Sequence, residues 1–475
     1  MAEHKVRPVP IGGERVTTGG TIEVRSPFDD ELLGAVPACD QEHVDRAVTA
    51  ARAAMDEGLA VWRRVEVLDA AAAALREQQE DFARTIAREA AKPLATARTE
   101  AARAVLTFQF AAAEARTLTG EMIAMDAAEP GAGKLGFTLR LPIGVVGAIT
   151  PFNFPLNLVA HKVAPAIAAG CAVVLKPASQ TPFSAIALAE LLLEECGLPD
   201  GWLNVVTGGG STVGNAIVDH PGVAMVTFTG SPDVGWGIRG RAARKKVSLE
   251  LGNNAPVILE PSGDWKAAAA KIKVAGYSHA GQSCISTQRV LVHRSIVEDF
   301  VAELVPLVEQ LRVGDPMDEA TDLSALISGD DTERVKSWID DAVGEGAEVA
   351  TGGEVEGRLL RPTVLTGTTN DMKVSNTEVF GPVVAVQAYD DLEQALALAN
   401  DTRYGLQASI FTAELAAALA AARRLDFGGV LVNEVPTFRT DQMPYGGTRD
   451  SGNTKEGPHH AVREMTTERL VVISP

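Results

Sequence analysis

The sequence predicts an α/β protein: a doubly wound parallel sheet, a second α/β region after it, and a small β arm. Three observations carry this. From Gly144 onward, short apolar runs alternate with helix-forming stretches, the pattern of parallel strands joined by helical crossovers. A second series of the same kind starts near Ala255. The chain has 475 residues, too many for one ordinary core, so two or three domains are expected.

The elements follow in chain order. Residues 41–57 and 64–118 are rich in Ala, Glu, Arg and Leu and poor in breakers, so they read as long helices. Pro130-Gly131-Ala132-Gly133 is a turn signal, and Phe137-Thr138-Leu139-Arg140-Leu141 alternates, so residues 120–143 read as an exposed hairpin. The runs 144–149, 172–175, 203–206 and 224–228 are short and apolar, as buried strands are. Helices are expected at 156–169, at 184–196, from Thr212 and from Val234. The second series has strands at 255–259, 383–388, 407–411 and 430–433, with helices at 264–280 and 295–312. A last strand lies at 469–473. It could pair with the hairpin, within one chain or between two.

Hydrophobic residues make up 46% and charged residues 22%, the balance of a globular protein. The net charge of −19 argues against nucleic acid and anionic membrane as partners, since both need basic patches. Cys39, Cys171, Cys196 and Cys284 are widely spaced and form no CxxC pair, which predicts neither a disulfide framework nor a metal site. Met1-Ala2-Glu3-His4-Lys5 has no apolar core of a signal peptide. The greasiest stretch, 158–175, is broken by His161, Lys162 and Pro165 and cannot span a membrane. A cytoplasmic protein is the expectation.

Four motifs point to chemistry. Gly281-Gln282-Ser283-Cys284-Ile285-Ser286 offers a nucleophile. Glu250-Leu251-Gly252 offers a carboxylate, Pro151-Phe152-Asn153-Phe154-Pro155 an amide, and Glu378-Val379-Phe380-Gly381-Pro382 a second carboxylate beside an aromatic ring. Each alone has a bland reading. A cysteine is often a small buried hydrophobe, Asn153 could cap a helix, and the glutamates could be solvated. The glycine run Gly208-Gly209-Gly210-Ser211-Thr212-Val213-Gly214 follows a strand and opens a helix, as phosphate-binding turns do. Val213 takes the place of the third glycine of GxGxxG, however. No HExxH, GxSxG or GxxxxGK[ST] competes.

Together these motifs, in this order and spacing, resemble the aldehyde dehydrogenase superfamily along nearly the whole chain. The fold implied is a Rossmann-type cofactor domain (1–122 and 142–251), a catalytic domain (252–450) and oligomerisation elements (123–141 and 460–475). The chemistry implied is NAD(P)-dependent aldehyde oxidation. Cys284 attacks the aldehyde, Asn153 and the Cys284 backbone N–H receive the oxyanion, and Glu250 activates water against the thioester. Lys162 and Glu456 match a proposed proton relay. The resemblance places the cofactor along Ile149, Thr150, Pro151, Phe152, Lys176, Ala178, Ser179, Gly210 and Gly214. It continues along Phe228, Thr229, Gly230, Ser231, Val234, Leu251, Gly252, Glu378 and Phe380.

Many NAD-using members carry Glu where this chain has Ser179. A carboxylate repels a 2′-phosphate, so Ser179 predicts NADP used at least as well as NAD. The segments 283–289 and 436–439 resemble the branch that includes lactaldehyde and phosphonoacetaldehyde dehydrogenases. On that basis His161, Arg289, Phe438 and Arg439 are the candidate substrate residues, for a small anionic or hydroxylated aldehyde. The alternative for the arginines is structural ion pairing. Two departures stand out. Asn253-Asn254 replaces the usual Gly-Lys after Glu250-Leu251-Gly252, in a turn expected to survive because Asn tolerates positive φ. Thr454 replaces a glycine. A homodimer or homotetramer is expected. The rival functions are a CoA-acylating dehydrogenase, disfavoured by Glu250, and a non-catalytic binding protein, disfavoured by intact Cys284, Glu250 and Asn153.

Overall fold

A computed structural model describes residues 6–474. The N-terminal reading of residues 1–5, and the last residue of the expected 460–475 element, lie outside these.

Two parallel sheets organise the chain. The first has five strands, in spatial order Lys246–Glu250, Val223–Thr229, Val145–Ile149, Val173–Lys176 and Leu203–Val205. All its pairings are parallel. Val145–Ile149 and Val173–Lys176 are buried at every position, which is why they are apolar throughout rather than alternating. The second sheet has seven strands, in the order Glu348–Thr351, Thr363–Thr366, Val383–Tyr389, Arg289–His293, Pro256–Leu259, Gln407–Phe411 and Gly429–Val432. Glu348–Thr351 alone runs antiparallel to its neighbour. One apolar cluster extends from Val9 to Leu251 and is completed by Val462 and Met465. A second extends from Val257 to Val435.

The long helix expected at 64–118 is three helices, Val61–Glu77, Gln79–Ala90 and Leu94–Thr117. The second break has a clear cause. Ala91 takes the left-handed conformation, Pro93 begins the next helix without an N–H to give, and Lys92 between them turns inward to full burial. Helix Gln41–Glu57 has the expected bounds, with an Asp40–His43 capping box. Strand Lys246–Glu250 escapes notice in the sequence because its polar and apolar residues alternate over only five positions.

Thr466–Ile473 pairs antiparallel with all of Leu135–Pro142, and Met122–Ile123 flanks the other side. The terminal strand and the hairpin therefore meet within one chain. Among the described residues no helix is long and apolar enough to cross a membrane, and no cluster of His, Cys, Asp and Glu could hold a metal ion.

Candidate active site

Cys284 follows a sharp reversal of the chain. His279, Ala280 and Gly281 take left-handed backbone in succession, at φ 51°, 54° and 70°. Non-glycine residues pay for such conformations in stability, and they gather at functional sites. Gly281 has no substitute here, since a Cβ would stand 2.0 Å from the Gly381 carbonyl oxygen. The reversal delivers Cys284 into a cavity of about 310 Å³. Burial pushes the thiol up to about 12, against a pull from a hydrogen bond with Tyr445.

Asn153 enters the same cavity from the loop after Val145–Ile149. Its Nδ2 donates to the Gln282 carbonyl at 2.9 Å, which ties it to the loop carrying Cys284. One amide hydrogen remains for another acceptor. Its own backbone oxygen is held by the ammonium of Lys92. Lys92 pairs with Glu100, both side chains fully buried. Glu100 also accepts from the N–H groups of Leu156 and Asn157 at 3.0 and 3.1 Å, at the start of helix Asn157–Ala169. A buried ion pair thus braces the loop that carries Asn153.

Glu250 is the last residue of its strand, buried, and accepts from Thr229 Oγ1 at 3.3 Å. Its carboxyl shares a narrow pocket with Glu456 and Lys162. Burial and the Glu456 charge raise it well above the usual carboxylate range. Burial would raise Glu456 too, but Arg439, His161 and Lys162 hold it well below that range. Of the two, Glu250 is the carboxyl that burial and its neighbour push toward the protonated form. Lys162 donates to Thr227 Oγ1 at 3.0 Å.

Glu378 faces the cavity from the far side. Its Oε1 accepts from the Asn253 N–H at 2.9 Å. Burial raises it to about 7, against the pull of that N–H and of Arg334. Gly252 leaves it room, because a Cβ there would stand 2.2 Å from Oε2. Phe380 holds a left-handed φ of 49° and meets Phe152 edge-on, ring centres 5.8 Å apart. Arg334 donates to the Val379 carbonyl at 2.9 Å and fixes this segment.

The cavity gathers Pro151, Phe152, Asn153, Thr229, Gly230, Ser231, Glu250, Leu251, Gly252, Cys284, Glu378, Phe380 and Arg439 from the sequence reading. It adds Leu158, Arg334, Leu406 and Tyr445, which that reading left out. Tyr445 precedes the pair Gly446-Gly447, a local signal that could have found it, whereas Arg334 has none.

A second group lies along the ends of the first sheet. Lys176 is buried and donates only to the Pro177 carbonyl, at 3.1 Å, and burial pushes it down to about 8. No carboxylate pairs with it, so donors are spare. Ser179 donates to the Gly208 carbonyl at 3.1 Å, and a Cβ on Gly214 would lie 3.7 Å from Lys176. The glycine turn and the 176–179 segment therefore form one wall, with Ala178 half-buried in it. Gly210 has open space at its Cβ position. Thr150 Oγ1 is buried without a partner, above buried Ile149. Phe228 packs under Gly230, and Val234 is exposed on helix Pro232–Arg241, whose first turn has no side-chain cap. Spare ammonium donors, an uncapped helix start and bare glycines fit the phosphates and ribose of a dinucleotide. Glu378 lines the cavity at the Cys284 end.

Several expectations need correction. Arg289 is remote from the cavity. Its guanidinium is buried under the second sheet and donates to the carbonyls of Asn254, Leu398 and Ala399 at 2.9–3.0 Å. Burial lowers it to about 9, and its role is structural. Phe438 is 48% exposed and does not line the cavity. His161 lies behind Arg439, with Nε2 2.9 Å from Asp441 Oδ1. Asn253 and Asn254 do not take positive φ. Instead their amides donate to the carbonyls of Gln407 and Ser375, at 3.1 and 2.8 Å. Thr454 donates to Glu464 at 2.7 Å.

Comparison with known proteins shows the family. The model of the aldehyde dehydrogenase family matches residues 15–471. The 3-sulfolactaldehyde dehydrogenase of Priestia megaterium is 44% identical over 464 residues, covering 98% of this chain and 97% of that protein. The lactaldehyde dehydrogenase of Methanococcus aeolicus is 36% identical, covering 95% and 97%. Among solved structures, a glyceraldehyde-3-phosphate dehydrogenase from Methanocaldococcus jannaschii, complexed with NADP, superposes with a TM-score of 0.93 at 37% identity, covering 96% and 100%. The chain belongs to the aldehyde dehydrogenase family and is an oxidoreductase acting on aldehydes.

Proposed function

We propose that this enzyme oxidises a small aldehyde to the carboxylic acid through a covalent adduct on Cys284, with Glu250 as the hydrolytic base. The observation that carries this is the convergence of Cys284, Asn153 and Glu250 on one cavity. The Cys284 sulfur bonds to the aldehyde carbon and forms a thiohemiacetal. The oxyanion meets the spare Asn153 amide hydrogen and the Cys284 backbone N–H. A nicotinamide held between Phe380 and Glu378 at the Cys284 end of the cavity would supply the hydride acceptor. Glu250 then takes a proton from water as the thioester is hydrolysed. Because its surroundings favour the protonated form of Glu250, a proton must leave that carboxyl before it can act as base. Lys162 faces both carboxyls, and its positive charge favours their ionised forms.

Cofactor choice is read at Ser179. A hydroxyl there does not repel a 2′-phosphate, and Lys176 adds positive charge, so NADP serves at least as well as NAD. The substrate is read at Arg439, which lines the cavity with Cys284 and keeps a buried Nε donor without a partner. That donor suits an anionic or hydroxylated tail. The names of the 3-sulfolactaldehyde and lactaldehyde relatives support the same class.

The experiment is turnover with NAD and NADP over neutral, hydroxylated and anionic aldehydes, with and without CoA. Oxidation without CoA, abolished in Cys284→Ala while cofactor still binds, is expected. An absolute need for CoA would favour the acylating alternative, and near-normal turnover by Cys284→Ala would end the thioester reading. We also propose a dimer or a pair of dimers. Strand Thr466–Ile473 has one unpaired edge and exposes Leu470, Val472 and Ile473. A monomer by light scattering would contradict this.

A further inference from the structure

We propose that the Tyr445 hydroxyl donates to the Cys284 sulfur and selects its thiolate form, making Tyr445 a further residue of the catalytic apparatus. This rests on the reading of Cys284 as nucleophile. Tyr445 Oη lies 2.9 Å from Cys284 Sγ. The sulfur also packs against Ile285, Leu406 and the Tyr445 ring, apolar groups that do not stabilise an anion. Among the described residues the hydroxyl is the sulfur's one hydrogen-bond partner, and the sulfur is the hydroxyl's.

Both could in principle be donor, and three features assign the proton to the tyrosine. A phenol is a stronger donor than a thiol. Tyr445 is buried, which raises its own ionisation well above the usual range and keeps its proton in place. The Arg439 guanidinium lies 3.9 Å from the centre of the Tyr445 ring, and a cation over the ring draws electron density from the hydroxyl. The tyrosine is also fixed in place. Its backbone N–H and carbonyl both bond to Glu456 across a short antiparallel bridge, and its side chain is buried against Ile285 and Leu406.

The charged groups facing Cys284 set the balance. Burial disfavours the thiolate most, and the carboxyls of Glu378 and Glu250 add to that. Tyr445 and Arg439 oppose it. Of these two, only Tyr445 touches the sulfur. A hydrogen bond to the ionised form favours that form. Removing the hydroxyl should therefore leave the thiol harder to ionise while the ring still fills its place.

The test is Tyr445→Phe, which keeps the ring and deletes only the donor. Alkylation of Cys284 by iodoacetamide is followed at fixed pH, against Cys284→Ala as the blank. It needs neither aldehyde nor cofactor, so its outcome is independent of whether the substrate reading holds. A rise of about one unit in the thiol midpoint removes about tenfold of the thiolate and restores about threefold in intrinsic nucleophilicity. Alkylation should then slow about threefold or more. Thiolate absorbance at the highest pH the fold tolerates should fall in parallel, with the thermal unfolding midpoint close to wild type. Equal or faster alkylation with unchanged or increased thiolate absorbance overturns the proposal. It would mean that the thiol donates to the phenol oxygen, or that Tyr445 only fills space.

Discussion

Glu378 gives the cofactor site a pH dependence that can be read in binding alone. Its carboxyl titrates near 7 because burial opposes the charge, while the Asn253 N–H and Arg334 favour it. Oε1 is already occupied by that N–H, so Oε2 is the oxygen left for a ribose hydroxyl. The ionised oxygen is the stronger acceptor. A hydrogen bond to a charged group is worth roughly 1.5–3 kcal/mol and a neutral one roughly 1, so ionisation adds about 1 kcal/mol, or about fivefold in affinity. The charged form predominates above its midpoint. NAD should therefore bind about fivefold more weakly as pH falls through about 7. NAD is the right probe, because the 2′-phosphate of NADP titrates in the same range. Fluorescence titration of wild type and Glu378→Gln reads the effect, and the variant cancels contributions from Lys176, which titrates near 8. Glu378→Gln should lose the change near 7 and keep only the contribution of Lys176. A wild-type Kd that is flat, or tightens toward acid, would refute the reasoning.

Two further substitutions test the walls of the site. Ser179→Glu should weaken NADP binding about tenfold or more and NAD binding little, since only the 2′-phosphate meets the new charge; equal loss of both would remove Ser179 as selector. Lys92→Met should cost about 3–5 kcal/mol, because it strands the buried Glu100, and a Lys92→Met/Glu100→Gln double variant should recover part of that loss in denaturant melts. A loss below about 1 kcal/mol would show that the pair does not brace the Asn153 loop.

The parallel strands were legible because burial on both faces makes them short and uniformly apolar. Gln407–Phe411 falls at the expected residues, and Val145–Ile149 begins one residue later than expected. Cys284, Glu250 and Asn153 were legible as motifs, and the fold brings all three to one cavity. What the sequence hid is contact between distant residues. Lys92 sits in a run that reads as plain helix, and only the left-handed turn at Ala91 sends it toward Asn153. Arg289 misled for the converse reason. Its nearness to Cys284 in sequence is not nearness in space, because the strand that begins at Arg289 carries it under the second sheet. Asn253 and Asn254 succeed not by backbone tolerance but by side-chain bonds to Gln407 and Ser375, which no local pattern announces.

The central claim is that Cys284 carries the acyl group and Glu250 releases it. Glu250→Gln, mixed with aldehyde and cofactor and quenched in acid, tests it by intact mass. One burst of reduced cofactor and then a stall is expected, with the enzyme heavier by one acyl group on the peptide containing Cys284. A burst that is lost, with no adduct, would place Glu250 in activating the thiol instead. Steady turnover at the wild-type rate with no adduct would contradict the account outright.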